Sequence, residues 1–357
     1  MSSSTIDVAV IGAGVIGAAV ANKLAERGLD VLLLEAQKRA CTGISSRNSG
    51  VIHSGLYYRT DSLKARSCIR GQALLYEWCE RFQVPHRRTG KLVVGDVDGL
   101  EELWSNATEN GAKGCRLLGA RKLRALEPSL ANHSAALFCG FSGIVDAHAY
   151  TASLIANAKN RGAVFTTSSA LHAVGQGAEG WILETARGSI QAQQVVNAAG
   201  LYADEVAALF GVQAPTVHLC RGDYFRWRTQ RSFKHLIYPV KKSAQRGLGV
   251  HLTLELDGAL KLGPDAQYVD SKDDFGAAEQ KLPDFVLAAE RLFGAIEPKE
   301  LSWDSCGIRP KLRGPEDSEE RDFVILEDPP GVIHMLGIES PGLTASLALA
   351  ECVEKRL

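Results

Sequence analysis

Ile6-Asp7-Val8-Ala9-Val10-Ile11-Gly12-Ala13-Gly14-Val15-Ile16-Gly17 opens as a run of strand formers and closes on a glycine-spaced turn. A stretch with helical spacing, Val15 to Gly28, follows, and then a second apolar run, Val31 to Glu35. Strand, helix and strand joined by short links is the pattern of a buried parallel sheet, whose strands are apolar on both faces. The hexapeptide Gly12 to Gly17 has the spacing GxGxxG and lies where the first strand ends and the helix begins. Glycines there let the main chain approach a pyrophosphate, whose charge the helix N-terminus favours. Glu35 ends the second strand 23 positions after Gly12 (35 − 12), where a carboxylate can accept both hydroxyls of an adenosine ribose. A carboxylate at this place disfavours a 2′-phosphate and hence NADP. The motif by itself does not choose between NAD and FAD.

The rest of the composition narrows the class. At 357 residues and 45% hydrophobic content the chain can bury the core of a large enzyme. Forty basic residues against forty-one acidic ones leave a formal net charge of -1, so no basic stripe for nucleic acid is present. The opening Met1 to Asp7 has no basic region ahead of an apolar one, and no signal peptide is expected. No apolar run reaches the ~18 residues of a membrane span. Eight cysteines are scattered without a CxxC pair or a neighbouring histidine at ligand spacing. They read as free thiols in a reducing cytoplasm, with no metal site.

Organisation follows from periodicity. Leu63, Ile69, Leu74, Leu75, Trp78 and Phe82 predict a long helix from Ser62, capped by Asp61. Val93 to Ala136 is mixed and polar, with helices expected at Leu100 to Glu109 and Arg121 to Glu127, and reads as an excursion from the first sheet. A helix from Tyr150 to Arg161 leads to strands near Ala163 to Thr167, Leu171 to Val174, Trp181 to Thr185 and Gln194 to Ala198. Thr216 to Gly263 is rich in strand formers and contains a hairpin turn at Asp257-Gly258, between Leu248 to Leu256 and Ala259 to Leu262. Alternation along its first strand puts His251 and Thr253 on one face. A helix near Asp284 to Ile296, a strand at Val332 to Leu336 and a final helix from Pro341 to Lys355 complete the chain. Ser340 is placed to cap that last helix, with Pro341 at its first position.

Four separated stretches resemble the D-amino-acid-oxidase superfamily of FAD oxidoreductases. They are the opening turn, Ser45-Ser46-Arg47-Asn48-Ser49-Gly50-Val51-Ile52-His53-Ser54-Gly55-Leu56-Tyr57-Tyr58, Val195-Val196-Asn197-Ala198-Ala199-Gly200, and Gly307-Ile308-Arg309-Pro310 with Gly337-Ile338-Glu339-Ser340-Pro341-Gly342-Leu343-Thr344. Within it the run Asn48 to Tyr58, Ser62-Leu63-Lys64-Ala65 and Leu248 to Thr253 with Gly263-Pro264-Asp265-Ala266 look like L-2-hydroxyglutarate dehydrogenases and oxidases. The resemblance implies an α/β fold, a Rossmann-type, glutathione-reductase-like FAD-binding domain with an interleaved α+β substrate domain on an antiparallel sheet. Residues 1–85, 140–215 and 305–357 are expected in the first, and 86–139 and 216–304 in the second.

The same resemblance implies which residues hold FAD. Gly12, Gly14, Val15, Ile16 and Gly17 belong to the turn, with Glu35 and Ala36 beyond it. Ser45, Ser46, Asn48, Ser49, Gly50 and Val51 form a polar loop over the pyrophosphate and ring, joined by Val174, Ala199 and Gly200. Gly337, Glu339, Gly342, Leu343 and Thr344, with Arg309, close on the flavin.

The implied reaction oxidises a small organic acid, a 2-hydroxy acid with L-2-hydroxyglutarate foremost, by hydride transfer to flavin N5, and hands the electrons to oxygen or a quinone. It needs a base for the hydroxyl proton and a cation for the carboxylate. Histidine, with an unperturbed pKa of about 6.5, suits the base, and His53 and His251 are its candidates. Arg309 can bind a carboxylate through two parallel hydrogen bonds, and Tyr57, Tyr238 and Thr253 are candidates to line the substrate pocket. An amine or amino-acid oxidase of the same fold, or a flavin-binding protein without turnover, are the other readings.

Overall fold

A computed structural model describes residues 5–240 and 249–357. Two large sheets dominate it. In the first, Ile6–Ile11 runs parallel to Val31–Leu34 on one side and to Gly188–Asn197 on the other, and Val164–Thr166 and Val332–Leu336 extend the parallel set. Leu171–Gly177, Gly180–Thr185 and the start of Gly188–Asn197 form an antiparallel meander at its edge. All four residues of Val31–Leu34 are buried, as a strand covered on both faces requires.

Four helices cover one face. Val15–Glu26 presents Ala18, Ala19 and Ala21, none with any exposure, to Ala147–Asn160 and Gly342–Glu354. Leu63–Arg81 crosses the last helix at Gly71, where a Cβ would strike the main chain of Thr344. Ser62 rather than Asp61 caps Leu63–Arg81: its hydroxyl accepts the Ala65 amide. Asp61 has φ of 63°, outside the extended conformation that a capping residue adopts.

Among the described residues the second sheet has nine strands. Lys91–Val94, Ala135–Cys139 and Cys115–Gly119 come from the stretch read as an excursion, and Leu236–Pro239, His251–Leu254, Leu260–Gly263 and His218–Trp227 from the later one. The Asp257-Gly258 turn joins His251–Leu254 to Leu260–Gly263, while Leu248 lies outside the described residues. Leu301–Lys311 pairs with His218–Trp227 from end to end. Residues 305–311, grouped by sequence with the cofactor-binding part, therefore sit in the second sheet. Gly307 explains the double allegiance, because its missing Cβ makes room for the Arg47 carbonyl of the polar loop.

Candidate active site

A cleft of about 1760 Å³ runs between the two sheets, beyond the ~300–1,000 Å³ of a common small-molecule pocket and in keeping with a dinucleotide plus substrate. Its floor at one end is the glycine turn. Gly12 has φ of 100°, and a Cβ on it would lie 2.6 Å from the Ala198 carbonyl oxygen. One on Gly14 would lie 2.9 Å from the Ser45 hydroxyl, and one on Gly17 would fall on the Gly12 carbonyl. The three glycines thus divide their work: Gly12 and Gly17 close the turn, and Gly14 leaves space facing the cleft.

Glu35, 9% exposed, accepts the Ala13 amide with Oε2 and the Gln37 amide with Oε1, both at 2.9 Å. Its carboxylate is locked in place at the cleft wall with Ala36 beside it. The Ser45 hydroxyl accepts the Val15 amide at 2.8 Å and pins the polar loop over the helix start. Asn48 braces that loop, donating to Ser45 O and accepting from Gly50 N. Val15, Ile16, Ser45, Asn48, Ser49, Val51, Ala199 and Gly200 all line the cleft, as do Glu339, Gly342 and Leu343 from the C-terminal turn.

Several expected residues stand behind this wall. Ser46 bonds the Gly43 carbonyl, Gly50 packs on Val145, and Gly337 packs on Leu312. Thr344 accepts the His53 amide at 3.0 Å and donates to Val51 O. Val174 is turned into an apolar cluster with Trp181 and Phe210, and Ser169, Ala170 and Leu171 line the cleft instead. A register shift lies between Leu171 and Ala173 in this strand, next to the position that the resemblance assigned to the cofactor. Asn197, fully buried, holds the Val195 to Gly200 turn by bonding Ala203 O, His334 Nδ1 and the Ala199 amide.

Ser340 does not cap the last helix. That helix, Gly342–Glu354, has no side-chain cap, and the Ser340 hydroxyl lies 3.2 Å from His53 Nε2. Neighbouring Glu339 receives Lys64 Nζ at 3.1 Å and Lys311 Nζ at 2.9 Å on one oxygen. Burial alone would raise its pKa, but the two ammonium groups overcome it and hold the carboxyl at about 2. Neither lysine was picked out as its partner from the sequence, since the three are far apart in the chain.

His53 and His251 line the cleft. Burial, reinforced by the positive charge of Lys91, pushes His53 well below its ordinary value. Burial brings His251 to about 3 against the opposing pull of its bond to the Gly249 carbonyl. That bond, 2.9 Å from Nδ1, makes Nδ1 the donor and leaves Nε2 free to accept a proton. The ring is stacked on Tyr238, centroids 3.7 Å apart. Thr253 is buried and does not line the cleft. Arg309 also lines the cleft, but its fork is spent: Nε bonds Cys220 O, and Nη2 bonds Arg221 O and Asp265 O. Only Nη1 is left for a ligand among the described residues, so the two-bond grip expected from sequence reduces to one nitrogen.

Glycine cradle, fixed carboxylate at the end of the second strand and a cleft long enough to reach two neutral histidines fit a flavin dinucleotide, and the chain belongs to the family described as DAO, FAD dependent oxidoreductase, which it matches over residues 7–356. FAD is its cofactor. Relatives include a protein named L-2-hydroxyglutarate dehydrogenase, mitochondrial, of Arabidopsis thaliana, 34% identical over all of this chain and 84% of its own length. An L-2-hydroxyglutarate dehydrogenase of Indibacter alkaliphilus is 31% identical over 97% of each chain. Among solved structures, the FAD-bound L-alpha-glycerophosphate oxidase of Mycoplasma pneumoniae superposes with a TM-score of 0.89 over 99% of this chain and 95% of its own, at 24% identity. That likeness establishes the fold.

Proposed function

We propose that the protein oxidises L-2-hydroxyglutarate to 2-oxoglutarate. The observation that carries this reading is the likeness along the whole chain to relatives that bear that activity in their names. FAD, when bound, supplies the acceptor for the two electrons. His53 takes the hydroxyl proton: it is held between the polar loop and the C-terminal turn, and it is neutral, as a base must be. His251 on the opposite wall orients the substrate from its free Nε2. Arg309 Nη1 meets the carboxylate next to the reacting carbon, and three main-chain bonds keep that nitrogen from moving away.

Dioxygen or a quinone-type acceptor reoxidises the flavin. All eight cysteines are unpaired, which suits a reducing compartment, and we place the protein in the cytoplasm, although the Arabidopsis relative is named mitochondrial. Among the described residues no helix is long and apolar enough to cross a membrane.

Anaerobic mixing with a panel of 2-hydroxy acids and amino acids tests the reading. L-2-hydroxyglutarate should bleach the flavin fastest. Bleaching by amino acids and not by hydroxy acids would replace it with an amine oxidase, and bleaching by neither would leave a flavin-binding protein without turnover.

A further inference from the structure

The wall that carries His251 contains a charge that the site as described does not use. Lys91 has no exposure, and among the described residues its Nζ has no hydrogen-bond partner. Burial lowers its pKa to about 8, so it remains protonated at neutral pH. A buried charge is costly unless something pairs with it.

Strand register places Lys91 on the cleft side. Lys91 pairs with Leu236, Tyr238 with Val93, and Ile237 with Leu252, so Lys91, Tyr238 and His251 share one face of the sheet. The ammonium lies 4.0 Å from the centre of the Tyr238 ring and 5.7 Å from that of Tyr57. His251 occupies one face of Tyr238, and Lys91 therefore takes the other. Tyr57 and Tyr238 line the cleft; among the described residues their hydroxyls and that of Thr253 are buried without a well-formed hydrogen bond, those of Tyr238 and Thr253 lying within reach of each other alone. Native interiors leave few such groups. Here three such hydroxyls share a wall with one positive charge, which an anion would complete.

Across the cleft Arg309 bonds only main-chain carbonyls. Arg309 thus faces the substrate space and Lys91 lies behind the tyrosine rings that line it, and among the described residues neither bonds a carboxylate. The geometry points to a second anion subsite: the hydroxyls of Tyr57 and Tyr238, with the charge of Lys91 behind their rings, receive the distal acid group of the substrate, and so select a 2-hydroxy dicarboxylate over a 2-hydroxy monocarboxylate. This rests on the proposed oxidation of a 2-hydroxy acid. The tyrosine rings stand between Lys91 and the cleft, so Lys91 is a positioning residue that acts through them. The two tyrosine hydroxyls bond the anion directly.

The test titrates the holoenzyme with glutarate and with butyrate, following the flavin absorbance. Wild type should bind glutarate about tenfold or more tightly than butyrate, the scale of one hydrogen bond to a charged group. Lys91→Met, which puts an apolar chain of similar length in an apolar place, should erase that preference and leave butyrate binding within about twofold. Tyr57→Phe should weaken glutarate selectively as well, and decides the matter should the Lys91 variant fail to hold FAD. Equal weakening of both ligands, or no change for either, would overturn the subsite. The titration needs no turnover, so an enzyme that no 2-hydroxy acid reduces would sink the proposed reaction while this contrast still stands or falls on its own.

Discussion

His53 Nε2 lies 3.2 Å from the hydroxyl of Ser340, although 287 positions separate the two in the chain. The bond ties the polar loop after the second strand to the turn before the last helix, and it fixes one histidine nitrogen at the cleft surface. Ser340 does not cap the helix beside it because that helix begins at Gly342, which puts Pro341 at the capping position.

Removing the base should therefore cost rate more than binding. His53→Ala is expected to slow flavin reduction by L-2-hydroxyglutarate by about 10²–10⁴ with little change in substrate affinity. Ser340→Ala, which frees the ring, should lose less, and His251→Ala should act mainly on affinity. Rapid-mixing reduction kinetics of the three variants decide it; a His53 variant as fast as wild type ends the assignment.

The pH profile follows from the sign of the shifts. A histidine acts as base only when neutral, and it is neutral above its pKa. Unperturbed, the ionisation would fall at about 6.5. Burial and the nearby Lys91 charge lower His53 well below that, and His251 lies at about 3. Flavin reduction should be level from about pH 6 to 8 and fall only in more acid solution. A rate that climbs tenfold per unit through about pH 6 to 7 would show that the base is solvated and not buried as described.

The parts of this molecule that follow from local chemistry were legible in the sequence. The turn from Gly12 to Gly17, the strand Val31–Leu34 and Glu35 at its end are set by residues within one supersecondary unit, and so is the hairpin at Asp257-Gly258. What depends on distant pairing was not. Leu301–Lys311 joins a partner strand some eighty residues earlier in the chain, which no periodicity reveals. Val174, implied by the resemblance, turns into an apolar cluster that only the packed fold reveals, and Ser340 was claimed by a residue from the other end of the chain. Lys91 offered a signal that went unread: a lysine opening the apolar run Leu92-Val93-Val94 stands where alternation demands a buried group.

Glu339 provides a test of the lysine pair. Glu339→Gln would leave Lys64 and Lys311 buried without their counter-charge, and losing one member of such a group costs about 3–5 kcal/mol. The holoenzyme should melt lower and lose FAD sooner. Because its pKa is depressed from 4.5 to about 2, the wild-type carboxylate stabilises the fold above about pH 4.5 and ceases to as the pH falls toward 2. A variant as stable as wild type at neutral pH would contradict the pairing.

Glu35→Ala should weaken FAD retention by two routes. The ribose loses an acceptor worth about 1.5–3 kcal/mol, and the amides of Ala13 and Gln37 lose theirs. Ultrafiltration of the purified variant should release FAD and leave folded apoprotein. Undiminished occupancy would mean that the carboxylate serves the turn alone.

Arg309 separates binding from chemistry. Its Nε and Nη2 hold the carbonyls of Cys220, Arg221 and Asp265, so only Nη1 can meet a substrate carboxylate. Lysine has one ammonium to offer and cannot satisfy three carbonyls and a ligand at once. Arg309→Lys should raise KM for L-2-hydroxyglutarate by about 10- to 100-fold, the span of one charge-assisted hydrogen bond, with a far smaller change in the limiting reduction rate. Arg309→Met should do the same and also loosen the strand pair, visible as a lower Tm. If the limiting rate collapses while KM holds, Arg309 acts on the reacting centre instead of on the carboxylate. If neither constant moves, its three main-chain bonds are its whole role.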